Sequence, residues 1–185
     1  TGVQTCALPI YPVVLFQTDI VALPVYKSNE PGQLDAQGYA GKYDVYDPKD
    51  AKIPASFAVF TTSKKFADAH PTAVADFLRA TLKGFEYATA NADAAVAATL
   101  KRSDPNLFLN PAGEAFRWKT ESALVRASTP KGKPVGAVDP TALQAELDAL
   151  VSLGVVAKNA VDVKASTDSR FMDEITKGEQ LIWFG

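Results

Sequence analysis

The sequence predicts an α/β fold, and two observations carry that reading. Short apolar, β-branched runs such as residues 20–26 (IVALPVY) and 56–62 (SFAVFTT) have strand character. Beyond them, apolar residues recur at helical spacing, as in Ala73, Val74, Phe77, Leu78, Leu82 and Phe85, with charged residues between.

An apolar run at residues 13–16 opens the pattern, and residues 20–26 follow as a buried strand that polar Lys27 and Ser28 end. Ser28 or Asn29 can cap the next helix by accepting from its free backbone N–H groups, and Pro31 suits the first turn, where no N–H partner is lost. Gly38 should stop that helix. Residues 43–46 read as a brief strand, 47–54 as a Pro-, Lys- and Asp-rich loop, and 56–62 as a further strand. A long amphipathic helix then enters at Pro71 and ends near Asn91, which is placed to cap an alanine-rich helix over residues 92–102. Pro105 and Pro111 bracket a loop before a helix over residues 112–127, carrying Phe116, Ala123 and Leu124. Residues 129–136 (TPKGKPVG) form an exposed turn. Asp139 and Pro140 open a helix through Leu153, and Gly154 takes the left-handed position after it. A short helix over residues 168–176 and an apolar tail at 181–184 finish the chain. Phe57, Phe60, Trp118 and Trp183 are assigned to packing.

Composition excludes several function classes. Lysines and arginines number 19 against 21 carboxylates, a net charge of -2, and they are interspersed rather than gathered on one face, so nucleic acid is not an expected partner. No apolar run approaches the roughly 20 residues that cross a bilayer. The single histidine, His70, stands before Pro71 at a helix start, where a solvent-facing role is expected rather than that of a general base. With one histidine and one cysteine, no metal site and no cofactor are expected. Gly-rich phosphate loops between a strand and a helix are absent. Residues 1–10 (TGVQTCALPI) are the conceptual translation of a sequencing adapter, and we expect them to be non-native. On that expectation Cys6 is foreign to the protein and native sequence continues upstream of Tyr11.

One local arrangement promises function: Tyr26-Lys27-Ser28-Asn29-Glu30-Pro31, at a strand-to-helix turn of the kind that faces ligand crevices in open α/β sheets. Tyr26 can stack on a flat ligand, Asn29 offers a donor and an acceptor, and Glu30 can accept from an amino group or pair with a cation. A plain capped helix start is the competing reading, because Ser, Asn and Glu all favour a first helical turn. Ser28 and Thr61, at the end of a predicted strand, are further candidates.

The runs VALPVYKSNEPGQLDAQG and FAVFTTSKKFADAHPTAVADFLRATLKGFEYATANADAAV resemble periplasmic solute-binding proteins of ABC importers, in the group of thiamine-pyrimidine synthases and sulfonate and taurine binders. The resemblance extends over residues 13–184 and is most specific at Tyr26, Asn29, Glu30 and Pro31, with Leu34 and Gly38, and at His70, Pro71, Gly84, Phe85 and Tyr87. It implies a two-lobed, type II periplasmic-binding-protein-like fold, N-terminally incomplete here, with residues 11–54 in the second lobe and 55–185 in the first. It further implies a ligand held between lobes, with Tyr26, Asn29, Glu30, Ser28 and Thr61 as contacts, and delivery by a monomeric protein to a membrane permease. A periplasmic or lipid-anchored extracellular location follows from the same likeness. Expected ligands are a thiamine pyrimidine precursor, a sulfonate or taurine, or a similar small polar or heteroaromatic nutrient. Where relatives often carry Asp before the strand alanine, this chain has Val21 before Ala22, so Asp19 would have to supply that contact from another register. The synthases' His- and Cys-rich motif is missing, which favours a binder over an enzyme. A biosynthetic enzyme of this fold, or a ligand-sensing domain of a signalling protein, are the alternatives.

Overall fold

Helix propensity and capping decide most of the architecture seen in a computed structural model, which describes residues 12–54, 59–107 and 109–183. In chain order the elements are α1 (Val14–Gln17), α2 (Glu30–Ala36), α3 (Lys64–Ala69), α4 (Pro71–Ala90) and α5 (Ala92–Arg102). A 3-10 turn at Pro105–Leu107 leads to α6 (Pro111–Ser128), α7 (Pro140–Ser152), α8 (Val163–Ser166) and α9 (Arg170–Ile175). Strands β1 (Thr176–Lys177) and β2 (Gln180–Leu181) form an antiparallel hairpin with Thr176 opposite Leu181. The chain divides into two compact units, Thr1–Val45 with Asn91–Ala123, and Tyr46–Ala90 with Leu124–Gly185.

In the first unit α2 is fixed at both ends by local chemistry. Pro31 occupies its first turn, and Gly38 follows its last with φ +84°, a backbone region that only glycine enters without strain. Its inward residues Pro31 and Leu34 are buried. Gly32 lies so close to Phe116 of α6 that a Cβ there would stand 2.5 Å from the ring, so the absence of a side chain is what lets the two helices approach. Phe16 stacks on Tyr39 with ring centroids 4.2 Å apart.

The second unit is built on α4. Ala75 is 1% exposed and Ile175 of α9 is fully buried, and with Ala67, Phe171 and Met172 they form a core flanked by Val74, Leu78, Leu82 and Leu181. Alanines at 67 and 75 bring α3 and α9 close to α4, because a methyl group lets backbones approach where a larger side chain would hold them apart. Asp139 caps α7 as expected, accepting from the N–H groups of Thr141 and Ala142; Ser63 caps α3 and Asp162 caps α8, whereas Asn91, expected to cap α5, makes no side-chain capping hydrogen bond there. On the surface Arg170 contacts Asp68 at 2.8 Å and Asp168 at 2.9 Å, and Lys64 also reaches Asp68. The Arg170 hydrogen bond, then that from Lys64, holds the Asp68 carboxyl below its ordinary range.

The helical expectations agree with these elements, and the strand expectations do not. Residues 20–26 and 43–46 form no strand, and Val21 and Tyr26 are exposed. A strand requires a neighbour to take its N–H and C=O groups, and β-branched composition alone does not supply one. Residues 55–58 lie outside the described residues, and 59–62 likewise form no strand. Among the described residues the architecture is therefore mostly helical, with one small hairpin in place of the expected α/β sheet. The packing assignments change too. Phe60 is exposed and meets exposed Phe77 edge to face at 5.5 Å, while Trp183 lies half-exposed beneath Lys83. The buried stripe of α4 runs through Ala75 and Arg79 rather than Phe77.

Ile175→Ala should remove about 2–5 kcal/mol of stability, since a fully buried branched side chain leaves a cavity that its neighbours fill only in part. Urea unfolding reads this, and an unchanged midpoint would displace Ile175 from the centre of the core.

Candidate functional site

Four of the five sequence-predicted site residues come together at the start of α2. The Tyr26 carbonyl accepts from the Asn29 N–H at 2.8 Å, closing a tight turn, and the Tyr26 N–H donates to Glu30 Oε2 at 2.7 Å. Glu30 Oε1 accepts from Asn29 Nδ2 at 3.0 Å. Asn29 Oδ1 in turn accepts from the Arg117 guanidinium and from Gln33 Nε2. Ser28, 5% exposed, donates its hydroxyl to Glu121 Oε1 at 3.0 Å. The Tyr26 ring projects outward, 77% exposed.

This geometry corrects the expected capping. Asn29 is the N-cap of α2 by position, yet its side chain makes no capping hydrogen bond, and the Ser28 hydroxyl is committed to Glu121. The reason is competition. A charged partner on α6 makes a stronger hydrogen bond than a backbone amide, and α6 presents three such partners. Thr61 belongs to the other compact unit, where it is exposed. His70 ends α3, its N–H bonded to the Phe66 carbonyl and its ring against Phe66, in keeping with the solvent-facing role expected of it.

Sequence reading missed Glu114, Arg117 and Glu121. Their spacing of three and then four places them on one face of α6, a signal present in the sequence but outweighed there by the apolar residues of the same helix. Glu114 is buried and lies 3.6 Å from Arg117, whose Nε is buried with no hydrogen-bond partner. Glu30, Glu114 and Glu121 thus stand against the single Arg117 in this network, which carries more acidic than basic side chains. Nearby, the Tyr43 hydroxyl reaches Asp35 Oδ1 at 2.8 Å and the Pro31 carbonyl at 3.0 Å. Desolvation, and then the hydrogen bond to Asp35, push its pKa up to about 12. Among the described residues no cluster of three or more His, Cys, Asp or Glu could hold a metal ion, and no helix is long and apolar enough to cross a membrane.

Residues 10–95 match the family described as NMT1/THI5 like. That family includes solute-binding proteins of ABC importers and a thiamine-pyrimidine synthase, and it implies a periplasmic-binding-protein-like fold. The matched stretch contains the whole Tyr26–Glu30 turn together with α2, α3 and α4. No curated protein and no solved structure matches the chain.

Two predictions follow from the local geometry. Tyr43 should ionise near pH 12, against 10.0 for an unperturbed phenol. Because the folded pKa is the higher one, the stability it lends is complete below pH 10.0 and is lost as pH rises through about 12. Phenolate absorbance checks this, with Asp35→Asn drawing the titration back toward the ordinary value. Gly32→Ala should cost about 1–3 kcal/mol by forcing the Phe116 ring aside; unfolding at the wild-type urea concentration would mean that the two helices are not held at this spacing.

Proposed function

We propose that the chain is part of the solute-binding component of an ABC-type importer, capturing a small polar or heteroaromatic nutrient by recognition without turnover. The observation that carries the reading is the family match over residues 10–95, which encloses a turn where an exposed tyrosine ring stands beside a pre-ordered set of carboxylate and amide groups. Stacking on Tyr26 supplies apolar contact for a flat ring. With Asn29 Oδ1 already filled by Arg117 and Gln33, the acceptor left to a ligand is the Glu30 carboxylate, which suits a ring that bears amino or ring N–H donors, such as an aminopyrimidine. Sulfonate ligands fit this turn less well, because they would meet carboxylates there.

Glu30 does more than offer an acceptor. Both of its oxygens are engaged within the turn, so it holds the backbone beneath Tyr26, and each oxygen keeps a second lone pair for a ligand donor. Thr61 is retained as a weaker contact on the strength of the resemblance. Delivery to a membrane permease, and a periplasmic or lipid-anchored location, complete the proposal.

The test uses the protein with its own reading frame complete, screened by thermal shift against aminopyrimidines, taurine and alkyl sulfonates. An aminopyrimidine should raise the melting temperature and be recovered unchanged. Tyr26→Ala should weaken that binding by about tenfold while leaving unliganded stability near wild type, since the ring is exposed. Consumption of the ligand would move the protein to the enzyme reading, and full affinity in Tyr26→Ala would remove the turn from the site.

A further inference from the structure

The second compact unit contains a cavity of about 160 Å³ that the proposed importer function does not use. Its floor is one stripe of α4: Leu82, Phe85, Glu86 and Thr89 recur at i, i+3, i+4 and i+7 and therefore share a face. Pro134 and Val135 form a second wall, from a segment held by the bonds Lys133 N–H to Pro130 and Ala137 N–H to Pro134. Gly136 brings that wall so close that a Cβ there would stand 3.2 Å from Leu82. Leu181 and Glu179 of the hairpin and Arg126 of α6 complete the rim.

Charge on this rim is balanced in a way that selects a ligand. Glu86 is bonded to Lys83 at 3.3 Å. That leaves Arg126 and Glu179, one of each sign, neither ion-paired within 4 Å among the described residues. Thr89 adds an independent sign of vacancy. Thr81, earlier on the same helix, donates to the Phe77 carbonyl at 2.8 Å, the usual recourse of a helical threonine, whereas the buried Thr89 hydroxyl has no hydrogen-bond partner among the described residues. A buried hydroxyl without a partner is costly, so its presence on a cavity floor points to something that supplies one. The apolar volume matches that of cavities which accept a benzene ring.

We propose that this cavity binds a small α-amino acid with an apolar side chain. The side chain lies among Leu82, Phe85, Val135 and Leu181, the carboxylate pairs with Arg126, the ammonium group pairs with Glu179, and the Thr89 hydroxyl bonds the head group. A single-charge ligand would pair with only one of the two rim charges and gain nothing from the other.

The 185-residue chain, labelled for amide NMR, is titrated with L-phenylalanine, 2-phenylethylamine and 3-phenylpropanoate. L-phenylalanine should give saturable shifts centred on Thr89, Val135 and Leu181, and each single-charge analogue should bind about tenfold or more weakly. Arg126→Gln should weaken L-phenylalanine by a similar factor and leave the amine unaffected; Glu179→Gln should spare the propanoate instead. Both side chains are exposed, so the variants keep the fold. Equal binding of the three compounds, shifts centred elsewhere, or no saturable shift would overturn the assignment. Tyr26→Ala separates this site from the importer ligand's, because L-phenylalanine binding should survive it unchanged.

Discussion

Two hydrogen bonds between residues 93 and 88 positions apart, Ser28 to Glu121 and Arg117 to Asn29, set the geometry on which the functional reading rests. They join the turn before α2 to the polar face of α6. A hydroxyl and an amide that would otherwise cap their own helix are drawn to another, because an ionised partner outweighs a backbone N–H as a hydrogen-bond partner. The exchange leaves α2 without a side-chain cap, but Pro31 removes one of the N–H groups that a cap would serve. With Ser28 buried and Asn29 held from three sides, the backbone that carries Tyr26 has little freedom, and Glu30 restrains it further through the Tyr26 N–H.

The second unit closes through contacts that are equally distant in sequence but chemically simpler. α9 packs on α4 through Ile175, Phe171 and Met172, and the hairpin that follows lays Leu181 on the same core. On the surface the pair of Arg170 with Asp68 joins α9 to α3 from outside, and the Ile182 N–H bonded to the Ile175 carbonyl ties the hairpin to α9. An exposed pair of this kind contributes little to stability, so the apolar contacts of Ile175 carry the packing.

Helices were legible in the sequence where local signals agreed. Pro71, Asp139 with Pro140, and Gly38 and Gly154 mark boundaries through backbone geometry and capping, effects that act within a few residues and so leave a local trace. Strands were not legible, because pairing is a property of two segments. Residues 20–26 have strand composition, yet among the described residues no second segment pairs with them as a strand. The candidate site divides along the same line. Tyr26, Ser28, Asn29 and Glu30 are adjacent in sequence and were found together. Glu114, Arg117 and Glu121 were missed, because only the fold brings α6 against that turn.

That division bears on how the turn can discriminate among ligands. A binding group that must be ordered on association subtracts the cost of ordering from its affinity, whereas one already fixed contributes most of its interaction. In this turn the carboxylate and amide are fixed by each other and by α6, while the Tyr26 ring alone stands clear of its neighbours. On the proposed function, the fixed Glu30 acceptor would disfavour a ring without N–H groups, which would desolvate the carboxylate and return nothing. The exposed ring would supply affinity that depends little on substituents, because stacking follows area more than identity. Selectivity would then reside in residues whose positions depend on a helix nearly ninety residues away, and affinity in the exposed Tyr26 ring.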